Sequence, residues 1–133
     1  MSSTIRVVYD HLPVVEVREH RADDRGNIYT LLRPISWLGI VIPAGFESDG
    51  ASVPRLFWGV VFPSGDTKAL FAAIFHDYIY RTHPPVWDRF EADEAFLQLL
   101  LDGGVSVIRA YRAYIGVRLF GSKAWNEGGK GSK

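Results

Sequence analysis

The apolar residues change their spacing once along the chain, and that change restricts the fold more than any other feature. From about residue 4 to 48 the runs TIRVVY, PVVEVREH, NIYTLLRPI and GIVIPAGFES are β-branched, aromatic or alternating, with turn segments DHL, RADDRG and SWL between them. From Asp66 onward, DTKALFAAIFHDYIYRT, DRFEADEAFLQLLLDGG and VSVIRAYRAYIGVRLFG follow a helical repeat instead. Between the halves lies DGASVPRLFWGVVFPSGD, where Gly50, Pro54, Gly59, Pro63 and Gly65 interrupt any regular run. The expectation is an α+β domain over residues 1–125. It comprises a small, mainly antiparallel sheet over 4–48, a functional loop over 49–66 and a layer of three helices over 67–121. The tail NEGGKGSK, residues 126–133, is too polar and glycine-rich to pack and is expected to be disordered.

Punctuation sharpens the helices. The first should stop near Arg81, because proline disfavours a helical conformation in the residue before it and His83 precedes Pro84 and Pro85. The second opens with Asp88 followed three residues later by Glu91, a capping-box pattern, and should end at Gly103 and Gly104. The third places Val107, Ile108, Tyr111, Ile115 and Leu119 on one apolar stripe, with Arg109, Arg112 and Lys123 elsewhere.

Composition then narrows the chemistry. A chain of 133 residues, 47% hydrophobic, can bury a core without staples. Its formal charge of zero argues against a partner held by phosphate electrostatics, so nucleic acid is not expected. With no cysteine, disulfides, thiolate metal sites and a cysteine nucleophile are excluded, and any metal must sit on oxygen or imidazole. No apolar run approaches the roughly 20 residues that span a bilayer. The alternating start does not read as a signal peptide, so a role outside the cell would need another exit, such as host lysis or delivery in a particle.

The chemistry-bearing residues cluster in FHDYIYRTHPPVWDRFEADEAF, residues 75–96. His76 and Tyr80 are one helical turn apart on one face, and Asp77 is displaced by one step. On the next helix Phe90, Asp93, Leu97 and Leu100 share a face. An aspartate among apolar neighbours is costly to bury unless it is paired. The short link RTHPPVWD favours antiparallel packing, which makes His76 its natural partner. A carboxylate on one ring nitrogen fixes the tautomer and raises the basicity of the other. The same pair can equally serve only to pin two helices, and the pattern alone leaves both readings open.

GFESDGASVPRLFW, AAIFHDYIYR, ADEAFLQLLLDGGV and YRAYIGVRLFG, in this order from about residue 40 to 125, resemble the phage and prophage family known as domain of unknown function 1353. The resemblance implies a phage or prophage origin, in the bacterial host cytoplasm or on the virion, and brings no settled activity with it. The helix pair is also similar to the catalytic core of secreted and parvoviral phospholipases A2. That likeness implies His76 as general base, Asp93 as its supporting carboxylate, Tyr80 as a network tyrosine and Asp77 as a calcium ligand. Loop carbonyls near Trp58 and Gly59 would complete a calcium site, with Asp49 as a further oxygen donor or, on the plainer reading, a turn-forming Asp-Gly. The loop has no close Gly-x-Gly, unlike the superfamily's.

Two functions follow as expectations. One is a phospholipase A2-like hydrolase that cleaves a lipid ester, calcium-assisted, at a phospholipid membrane surface. The other is a non-enzymatic virion, tail or assembly accessory that docks on other phage structural proteins, the His-Asp pair being scaffold. A Ser52-His76-Asp93 triad is formally available but lacks a nucleophile elbow. His11, His20 and His83 show no zinc spacing. The upstream histidines fall in the β half, which argues against an HD-type phosphohydrolase. Trp37, Phe57, Trp58, Phe62, Trp87 and Trp125 lie in or next to loops, where aromatics close a core, meet a partner or touch a membrane.

Overall fold

The computed structural model describes residues 15–20, 26–48 and 67–128. The chain divides into two compact units, Met1–Asp49 and Gly50–Lys133. Strands fall in the first and helices in the second, so the fold class is α+β, as the spacing predicts.

In the first unit β1 (Val15–His20) pairs antiparallel with β2 (Gly26–Leu31), in a register running from Val15 opposite Leu31 to His20 opposite Gly26. A short β5 (Glu47–Ser48) adds to the other edge of β2. A separate hairpin joins β3 (Ile35–Trp37) to β4 (Ile40–Ile42). The expectation of SWL as a plain turn needs correction here. Ser36 and Trp37 belong to a strand, and the turn is only Leu38-Gly39, with φ of 51° and 80°. Two left-handed residues form the tight turn whose twist matches the strands. A leucine there costs roughly 1 kcal/mol and lacks the Asn-Gly signature that would have announced the hairpin. The expected strand TIRVVY and the loop 49–66 lie outside the described residues.

The second unit contains α1 (Thr67–Thr82), α2 (Arg89–Asp102), α3 (Val107–Phe120) and α4 (Ser122–Glu127). The sequence predicts three helices, and α4 is the addition; it takes in Asn126 and Glu127, which the composition places in the tail. Gly121 ends α3 and starts α4, and Trp125 anchors the extra turn. The Trp125 ring stacks on His83 at 3.7 Å and meets Tyr80 edge-on at 5.3 Å, while its carbonyl lies 2.9 Å from His83 Nε2.

α1 is buried from Ala69 to Asp77 without a break, as befits a helix that is apolar nearly all round. α2 carries the expected capping box: Asp88 accepts from the Glu91 backbone N–H, and the Glu91 carboxylate accepts from that of Asp88. At its other end Gly104, at φ 91°, lets the Val105 N–H reach the Leu100 carbonyl, the closed arrangement that glycine favours after a helix.

α3 departs from the expected packing. Its buried residues are Ala110, Ala113, Gly116 and Val117, whereas Val107, Ile108, Tyr111, Ile115 and Leu119 face outward. Small residues form the inner face, so the larger apolar stripe is left on the opposite side. Phe90, expected on the inner face of α2, is likewise half exposed, beneath the Arg118 guanidinium at 5.3 Å. Among the described residues no helix is long and apolar enough to cross a membrane.

Candidate functional site

Three of the residues singled out in the sequence meet between α1 and α2. His76 Nε2 lies 2.7 Å from Asp93 Oδ1, and the Tyr80 hydroxyl donates to the same oxygen at 2.7 Å. The His76 ring also packs on Phe96 and Tyr80, with centroids 4.6 and 4.2 Å apart. Tyr80 meets Asp93 while His76 reaches on to Phe96, so the two helices run antiparallel. Trp87 closes the link against Phe75 at 5.9 Å. The link holds His83 and Val86 at φ of 47° and 63°, conformations that reverse the chain within six residues.

His76 and Asp93 are both fully buried. Burial by itself raises a carboxyl. Here the hydrogen bond from His76, then those from the Tyr80 hydroxyl and Arg118, outweigh it and hold Asp93 below its ordinary range. An ionised carboxylate only accepts, so His76 Nε2 must carry the proton it donates. Burial, followed by the Asp93 charge and hydrogen bond, pushes the Tyr80 phenol well above its ordinary range, so that it donates throughout the physiological range.

The other carboxylate oxygen is engaged from a third helix. Arg118 donates to Asp93 Oδ2 at 2.7 Å, and Arg89 stands 3.6 Å from the same atom. Arg89 also donates to the carbonyls of Val117 and Arg118, which ties the start of α2 to the end of α3. Neither arginine is expected at this hub from the sequence. Arg89 sits four residues before Asp93, a spacing that announces a helical ion pair. Arg118 carries no such local signal, because its contact spans 25 residues.

Asp77 is buried and points away from this hub, as its one-step offset from His76 predicts. Its Oδ2 lies 3.2 Å from the Arg81 guanidinium one turn on. Among the described residues no three histidine, aspartate or glutamate side chains converge in a way that could hold a metal ion. Asp49, Trp58 and Gly59, expected around a calcium ion, lie outside the described residues, as does Ser52.

These features define an α+β protein in which a buried carboxylate on one helix orients a histidine on its antiparallel neighbour. Residues 31–117 match the family described as Protein of unknown function (DUF1353), about two-thirds of the chain, and the protein belongs to that family. The matched span contains His76, Tyr80, Arg89 and Asp93. No curated protein and no solved structure matches the chain.

Proposed function

We propose that this protein is a phospholipase A2-like hydrolase of phage or prophage origin that cleaves a lipid ester with His76 as general base. The observation that carries the reading is the His76 Nε2 to Asp93 Oδ1 contact of 2.7 Å, with Tyr80 on the same oxygen. It supplies a fixed tautomer. In the reaction Nδ1 takes a proton from water as the water oxygen bonds to the ester carbonyl carbon. Asp93 stabilises the imidazolium so formed. Collapse of the tetrahedral adduct breaks the ester C–O bond, and the imidazolium returns the proton to the leaving alkoxide. Asp77 is the described residue that would hold calcium, whose chemistry would be to polarise the carbonyl. The Arg81 guanidinium stands 3.2 Å from one oxygen of that carboxylate, and the described residues alone do not make a calcium site; the proton transfers fall to His76, which Asp93 and Tyr80 hold in place. The setting that suits this chemistry is a phospholipid surface met from the cytoplasm of a bacterial host or from a virion.

A second reading has its own support. Full burial of His76 and the four groups gathered on Asp93 suit a clamp that joins three helices, in an accessory protein that binds other phage structural proteins.

Release of fatty acid from mixed phospholipid vesicles, with and without calcium, separates the two. His76→Gln keeps an N–H donor for Asp93 but has no basic nitrogen, so it should remain folded and lose all turnover. Full turnover in that variant would sink the hydrolase reading, and a wild-type protein that cleaves no ester would favour the clamp.

A further inference from the structure

The stripe Val107, Ile108, Tyr111, Ile115 and Leu119 covers about a third of the circumference of α3, opposite its buried face, and each residue is 45% to 67% exposed. Five large apolar side chains, each about half exposed or more, make an apolar patch on the order of 500 Å², near the upper end of what a monomer shows. It is a ridge and not a groove, since it lies on the side of the helix turned away from its packing. Along α3 and its flanks the chain itself is basic, and among the described residues Glu94 of α2 brings an acidic group to it, accepting from the hydroxyl of Tyr114 beside Tyr111. From Gly103 to Asn126 the chain carries Arg109, Arg112, Arg118 and Lys123 and no acidic residue, although the whole chain sums to zero. Arg112 borders the stripe, and Arg112 and Lys123 are both exposed.

We infer that α3 is an interfacial helix that lays this ridge into the surface of an anionic lipid bilayer, with Arg112 and Lys123 against the headgroups. An apolar stripe bordered by cations is the pattern of helices that lie in the plane of a membrane interface. A second copy of the chain fits less well. The patch falls short of the ~800 Å² per partner that stable pairs bury, and an antiparallel pairing of two α3 helices would set Arg112 beside its own counterpart. A bound peptide helix would need a groove. The inference deepens the lipid-ester reading and rests on it for the purpose of attachment, but attachment can be measured without turnover.

Flotation of the full chain with vesicles of ether-linked lipids, which offer no ester, makes that separation. The protein should float with vesicles containing ether-linked phosphatidylglycerol and stay behind with neutral phosphatidylcholine analogues. Arg112→Glu, a change of two charges at about fivefold each, should weaken binding about twenty-five-fold, and Ile115→Glu should abolish it with the circular dichroism unchanged. Absence of binding at low salt, or binding indifferent to Ile115→Glu, overturns the inference. So does a dimer in sedimentation equilibrium that Ile115→Glu dissolves, which assigns the ridge to a second copy. Equally tight capture by soluble polyglutamate would overturn it in favour of an acidic protein partner.

Discussion

Asp93→Asn is the most informative perturbation of the hub, because it changes one oxygen to an N–H₂ at nearly constant shape. The carboxylate accepts from His76 and Tyr80 on Oδ1 and from Arg118 on Oδ2. An amide has a single accepting oxygen. If it faces His76 and Tyr80, the new N–H₂ confronts the Arg118 guanidinium. If it faces Arg118, the N–H₂ confronts two donors in a fully buried site. Either way at least one buried donor loses its partner, at about 1–3 kcal/mol, and the remaining bonds lose their charge assistance. Removing one member of a buried ionic pair costs about 3–5 kcal/mol. Arg118 is partly solvated, which places the expected loss near the lower end, about 3 kcal/mol. In urea denaturation the midpoint should fall with little change in slope, and thermal unfolding should come about 10 °C earlier. A variant within about 0.5 kcal/mol of the wild type would refute the reasoning, since it would mean that Asp93 is not an ionised acceptor for these three groups.

The pH dependence of stability should have two edges from the same hub. Asp93 is held below its unfolded value, so its contribution is complete above about pH 4 and is lost as pH falls through the depressed folded value. Tyr80 is held above its unfolded value, so its contribution is complete below about pH 10 and is lost as pH rises beyond it. Urea midpoints across pH check both, and Tyr80→Phe should remove the alkaline edge that this residue causes. Gly121→Ala should destabilise the junction of α3 and α4, because a methyl there would meet the Val117 carbonyl and come within 2.9 Å of the Tyr80 hydroxyl. A stability equal to wild type in chemical denaturation would show that Tyr80 can shift without loss.

The parts of this architecture written locally are legible in the sequence. The Asp88–Glu91 box, the Gly103-Gly104 stop and the break before Pro84 are each set within one or two turns of chain, and each appears where the pattern puts it. The meeting of His76 with Asp93 was also legible, because a buried aspartate has few affordable partners and the link between the helices is short. What escaped is set by distant contacts. The largest apolar stripe of α3 does not face inward, because Ala110, Ala113 and Gly116 occupy the buried side. Leu38-Gly39 makes a hairpin turn without the residues that usually signal one. The role of Arg118 depends on where α3 ends relative to α2, which no local pattern encodes.

Stability alone gives a poor account of why the core contains this hub. Replacing a buried ionic cluster as a whole by apolar side chains of similar volume is commonly neutral or stabilising by about 1–4 kcal/mol, even though breaking one member is costly. The neighbours Phe96, Leu97, Leu100 and Ile79 show that this region packs apolar side chains readily. What the polar cluster supplies and an apolar core cannot is orientation. One carboxylate held from three helices determines which nitrogen of His76 carries its proton and how the ring is presented. A clamp needs the cluster only to be satisfied. The proposed general-base chemistry would need the tautomer to be fixed as well, a requirement that Tyr80 and Arg118 serve by keeping Asp93 ionised and in place.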